Sequence, residues 1–176
     1  MAEDIPLKKN HHWEEAMLGE YLAKYHAECR VVTRARLGPL NTAVQDPRLT
    51  DEERRMLGSA FRRWADALCV EAGRLLVIET AFVPDPRDIS LLLTYLRLID
   101  VTPDLQDVAK LPRQGILVWA VDDPFSRQLA VYHGIEVRLF KPANFTEWLT
   151  TVRARERRPS RTALGLSGLP LERIPS

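Results

Sequence analysis

The stretch that most constrains this chain is residues 74–83, RLLVIETAFV, in which Glu79 is the only charge between Leu75 and Ala81. Such a run, closed by Pro84-Asp85-Pro86, reads as a strand buried on both faces. Residues 64–70 (WADALCV) read as a second strand, and only Glu71-Ala72-Gly73 separates the two. So short a connection demands an antiparallel hairpin. Asp66 lies near the start of one strand and Glu79 near the end of the other, so the hairpin brings them close together. Burying a carboxylate in an apolar strand is costly unless it is paired, hydrogen-bonded or bound to a metal. Two carboxylates facing one space make a hard-cation site, suited to magnesium or manganese.

The remaining elements arrange themselves around this hairpin. Residues 13–29 place Trp13, Met17, Leu18, Tyr21, Leu22 and Tyr25 at helical spacing, with acids near the start. Residues 30–37 (RVVTRARL) alternate poorly and fit either a strand or a turn-bound extension. Thr50 opens a T-D-E-E capping box for a helix through about residue 63. Asp88 is expected to cap the helix ISLLLTYLRLI, which ends near Asp100. Residues 115–121 and 135–140 give two further strands. Between them a helix starts at Asp122-Asp123-Pro124, runs through Tyr132 and ends at His133-Gly134. A last helix covers 143–153. The expected fold class is α/β (α+β-like): a mixed central sheet of about four strands, one antiparallel hairpin, and helices on both faces.

The chain has 176 residues, the length of one domain, and a formal net charge of +1. No global field therefore draws it to nucleic acid or to a membrane, and no apolar run is long enough to span a bilayer. Cys29 and Cys69 sit in apolar patterns and read as buried thiols of a reducing compartment. His26 and His133 have no evident nucleophile beside them, and there is no triad, no phosphate-cradling glycine loop and no zinc spacing. His11 and His12 read as solvated surface, and Trp13, Trp64, Trp119 and Trp148 as core. Asp122 and Asp123 read as a helix start rather than a second metal pair. Charge is unevenly spread. Residues 151–176 hold Arg153, Arg155, Arg157, Arg158, Arg161 and Arg173 against Glu156 and Glu172, a net of +4 that leaves residues 1–150 at −3. The expected organisation is an N-terminal extension (1–12), one domain (13–153) and an extended arm (154–176), whose arginines suit a protein surface or phosphates.

The hairpin W-A-D-A-L … L-V-I-E-T-A resembles the core of the PD-(D/E)XK nuclease superfamily, the restriction-endonuclease-like fold, over about residues 13–150. The segment Ile89 to Tyr95, of the form I-S-x-L-L-x-Y, is similar to small phage and bacterial members. The resemblance implies that Asp66 and Glu79 hold a magnesium or manganese ion that activates water, and that Glu14, Glu15 or Glu20 supplies a further ligand. It also implies a lysine at the position occupied by Ala81, where a cation would position the water and steady charge on the phosphate. Arg63, Arg87 and Arg97 are the replacements suggested by sequence proximity. Thr80 could donate a hydrogen bond at most. Two readings follow. In the first, the chain is a non-catalytic structural or interaction protein on a degenerate nuclease fold. It would need no cofactor, and its arm would bind other protein subunits or a second copy, for instance in a phage particle assembled in the cytoplasm. In the second, it is a metal-dependent DNA nuclease with a relocated basic residue. Nucleic acid is a possible partner through the arm under either reading, and a membrane is not.

Overall fold

The computed structural model describes residues 8–39, 48–53, 56 and 62–156, with side chains from 12 to 152. The chain divides into two compact units, 1–143 and 144–176. The first holds a five-stranded sheet in the order β1-β2-β3-β4-β5: Arg30–Leu37, Arg63–Glu71, Arg74–Ala81, Arg113–Trp119 and Glu136–Leu139. It also holds helices α1 (Lys8–Tyr25), α2 (Pro86–Leu98) and α3 (Pro124–Tyr132), with short 3₁₀ turns at Ile99–Val101 and Pro103–Leu105. The described part of the second unit is Asn144 followed by helix α4, Phe145–Glu156. No described helix is long and apolar enough to cross a membrane.

β1, β2 and β3 form an antiparallel meander, and β4 and β5 then add parallel to β3. The β2–β3 turn is the pair Ala72-Gly73, with φ of 48° and 74°, between the paired residues Glu71 and Arg74. Two left-handed residues in succession match the twist of a tight hairpin. The parallel step from β3 to β4 needs a crossover, and α2 supplies it. Leu75, Val77, Leu117 and Trp119 join Ile89, Leu92, Tyr95 and Ile99 in the main core. At Gly115 the helix packs tightly on the sheet, because a Cβ there would lie 3.1 Å from Leu92 Cδ2 and 3.3 Å from Leu96 Cδ1. The alternate residues Leu76 and Ile78 are buried as well, and α1 packs against β3 with Met17, Leu18 and Tyr21 buried. The mixed sheet, its hairpin and the buried central strand therefore agree with the reading from sequence.

Several details differ. The sheet has five strands rather than four, because residues 30–37 form the edge strand β1. α1 begins at Lys8, inside the expected N-terminal extension, and stops at Tyr25. Asp85, not Asp88, caps α2. Pro86 occupies the first turn, Asp85 accepts from Arg87 N, and Asp88 closes the box from the third position. Proline suits that place because its missing N–H would have no intrahelical partner. The Thr50 box is present, with Glu53 N donating to Thr50 Oγ1 at 3.2 Å and Thr50 N to Glu53 Oε2 at 2.7 Å. β2 has already begun at Arg63, so that helix ends before residue 63. α4 continues to Glu156, so Arg153 and Arg155 belong to a helix rather than to an extended arm. Arg157, Arg158 and Arg161 lie outside the described residues. Trp64 is not core. It is 46% exposed, and the Arg36 guanidinium lies 4.4 Å from its ring centroid.

Candidate functional site

The sheet opens at Asp66. The β1–β2 ladder runs from Arg30↔Val70 to Thr33↔Ala67 and resumes at Ala35↔Ala65, skipping the position where Arg34 faces Asp66. The β2–β3 ladder ends at Ala67↔Ile78, one step short of Asp66 and Glu79. Side chains fill the gap. Asp66 N donates to Glu79 Oε1 at 2.9 Å, and Thr80 donates to Asp66 Oδ2 from its backbone N at 2.9 Å and from Oγ1 at 2.7 Å. One oxygen of each carboxylate thus replaces a ladder carbonyl, which leaves Asp66 Oδ1 and Glu79 Oε2 for other work. Among the described residues, no arginine or lysine is paired with either carboxylate.

Two more acids join them. Glu14 comes from the N-terminal half of α1, and Asp88 from the first turn of α2. Burial pushes the Glu79 carboxyl up to about 9, helped by the charge of Asp66 and opposed by the Asp66 N–H bond. Glu14 is raised to about 7, first by burial and then by Asp66 and Asp88. Asp88 is raised to about 6, mainly by burial. Tyr95 is pushed up to about 12 by burial and by the charges of Glu79 and Asp66. Burial and neighbouring acids therefore raise three of these carboxyl groups, Glu79, Glu14 and Asp88, together.

A small surface pocket is lined by Glu14, Glu15, Leu18, Arg34, Asp66 and Thr80, with Glu79 and Asp88 outside its lining. Among the described residues, no three carboxylates bring oxygens within 4.8 Å of one another. The donor set still fits magnesium or manganese, since such ions commonly use one or two carboxylates and fill their remaining positions with water.

The expected residues fall out unequally. Asp66 and Glu79 are joined through the Asp66 N–H, and Glu14 lines the same pocket as Asp66. Glu15 pairs with Arg34 at 3.4 Å, and Glu20 is drawn elsewhere, accepting from Ala143 N at 2.9 Å. Arg87 is held by Asp85, with Nη2 to Oδ2 of 2.6 Å, on the exposed start of α2. Arg63 and Arg97 are exposed and do not line the pocket. Asp123 caps α3 as expected, accepting from Ser126 N at 3.1 Å, and Asp122 pairs with Arg127 at 2.6 Å. The cation that does line the pocket is Arg34, which no sequence motif marks. Its φ of 51° is left-handed, a conformation that costs a non-glycine residue roughly 1 kcal/mol and tends to persist at functional sites.

No family model and no curated protein matches the chain. Among solved structures it is similar to a repair endonuclease from Pyrococcus abyssi, with 16% identity, a TM-score of 0.46, and coverage of 73% of this chain and 47% of that one. It is also similar to a protein of unknown function (12%, TM-score 0.46, 88% of this chain and 75% of that one). A third similar structure is a complex of EndoMS with double-stranded DNA (15%, TM-score 0.43, 73% of this chain and 45% of that one). The chain thus spans less than half the length of the repair endonuclease and of the EndoMS chain.

Proposed function

We propose that this chain is a divalent-cation-dependent nuclease acting on DNA, with Asp66 and Glu79 as cation ligands and Arg34 in place of the missing lysine. The observation that carries this reading is the group of mutually repelling, half-buried carboxyl groups beside one pocket arginine. A fold gains nothing in stability from raising Glu79 to about 9 and Glu14 to about 7, whereas a bound cation would reverse the repulsion. A magnesium or manganese ion would supply Lewis acidity and an activated water. Glu14, with a carboxyl group near neutrality in the cation-free protein, is suited to take the proton of the attacking water. Arg34 lines the same pocket and can meet the charge that develops on the phosphate. Ala81 can do neither.

The intact chain incubated with magnesium or manganese should cleave plasmid or branched DNA. Glu79→Ala and Asp66→Asn should abolish cleavage, and Arg34→Ala should lower its rate by about 10²-fold to 10³-fold, the usual loss for one electrostatic donor. Protein that cuts no DNA and binds no manganese would overturn this reading. A second reading would then stand, in which the chain is a non-catalytic interaction module. What favours it is that Asp66 and Glu79 complete the sheet's own hydrogen bonding, a structural role that requires no cation.

A further inference from the structure

Away from the carboxylates, the turn after α1 and the distal end of β2 bring together three side chains that ligate metals. His26, Cys29 and Cys69 place their ligand atoms within 4.8 Å of one another. The backbone explains how. His26 N donates to Leu22 O at 2.8 Å and Cys29 N to His26 O at 3.1 Å, so residues 26–29 form a closed turn at the end of α1. β1 starts at Arg30, and Val31 pairs with Cys69, which sets Cys29 beside β2. Cys69 is fully buried. The His26 side chain is 1% exposed, and its Nδ1 is buried with no hydrogen-bond partner. Glu71 Oε2 lies 3.5 Å from that atom. An orphaned ring nitrogen beside two thiols is a costly arrangement for a core without an occupant.

We propose that His26, Cys29 and Cys69 form a zinc site, with Glu71 beside it to fill the fourth position. Two sulfurs and one imidazole nitrogen are the borderline-soft donors that zinc takes and magnesium refuses. Binding would release the two thiol protons to solvent and form two zinc–sulfur bonds and one zinc–nitrogen bond, with no change of oxidation state. The ion would tie the end of α1 to the β1–β2 pair. This site is independent of the carboxylate pocket and of the nuclease reading.

The test uses the intact chain, stripped of metal and kept reduced by a phosphine, then titrated with cobalt(II) and with zinc(II). One cobalt per chain should bind with a thiolate-to-cobalt charge-transfer absorption and tetrahedral d–d bands. Zinc should displace the cobalt and raise the melting midpoint. Carboxylate-bound cobalt gives no thiolate band, so Asp66→Asn should leave the spectrum intact. Cys29→Ser, at a half-buried position, should lose most of the charge-transfer intensity while the protein still folds. The wild-type spectrum remains decisive if Cys69→Ser proves insoluble. Absence of the thiolate band in the wild type, its survival in Cys29→Ser, or a midpoint indifferent to zinc would each overturn the proposal.

Discussion

Glu79 carries a charge that the metal-free fold resists. Its carboxyl group rises from 4.5 to about 9 on folding. Between those values the folded chain keeps a proton that the unfolded chain has lost. Stability from this group is therefore fully present below about pH 4.5 and declines as pH climbs toward about 9. Glu14 and Asp88 shift in the same direction, and the groups titrate together. In the presence of a chelator the melting midpoint should thus fall from about pH 5 to about pH 8, and magnesium should flatten that slope. Glu79→Gln retains an oxygen to accept from Asp66 N and removes the charge. It should stabilise the chelated protein by about 1–3 kcal/mol at about pH 8, on a scale where each pKa unit is worth about 1.4 kcal/mol, while abolishing cleavage. Thermal melts across pH check this directly; a variant less stable than wild type at pH 8 would remove the electrostatic argument. The sequence betrays Glu79 because one charge in an apolar run has to be accounted for. It hides Arg34, because nothing about an arginine in RVVTRARL signals a left-handed backbone at φ 51°.

Elements are readable wherever local chemistry alone decides them. The hairpin turn, the Thr50 box and the Asp123 cap each depend on neighbours within four residues; the box and the cap form as expected, and the turn is the shorter Ala72-Gly73 because Glu71 pairs with Arg74. β1 is ambiguous in the sequence because an edge strand need not alternate cleanly, and its register comes from β2. The His26, Cys29 and Cys69 cluster needs that same register. H-x-x-C offers a local hint, but the third ligand lies forty residues further on, a separation only pairing can bridge. Two substitutions probe how the elements dock. Gly115→Ala sets a methyl group against Leu92 and Leu96 and should cost about 1–3 kcal/mol through overpacking. Thr102, fully buried, accepts from Gly38 N at 2.8 Å and donates to Leu98 O at 2.6 Å. Thr102→Val keeps the shape but orphans Gly38 N–H, at about 1–3 kcal/mol. Urea midpoints should drop for both with the m-value unchanged. A midpoint that holds for Gly115→Ala would mean that α2 can move off the sheet.

At the scale of the whole chain, the difficulty for a DNA-cutting enzyme is its charge. Residues 1–150 carry −3, and the pocket is ringed with acids, so a phosphate backbone is repelled from the very place it must reach. Arg34 and Arg36, gathered near Trp64 with guanidinium-to-ring distances of 5.7 and 4.4 Å, supply a local exception beside the pocket. Residues 157–176 contribute Arg157, Arg158, Arg161 and Arg173 against Glu172. If these grip phosphates, they add up to three net charges to the hold on DNA. Ending the chain after Glu156 should then leave the melting midpoint and manganese binding unchanged, since the segment carries three prolines and no apolar periodicity. It should weaken DNA binding and lower the slope of log affinity against log salt by up to about 3, at about 0.9 for each phosphate no longer neutralised. Cleavage at saturating DNA should proceed at the wild-type rate, which separates gripping from chemistry. An unchanged salt slope would assign these arginines to a protein surface instead, and the pocket's Arg34 with Arg36 on the Trp64 ring would then have to bring in the DNA alone.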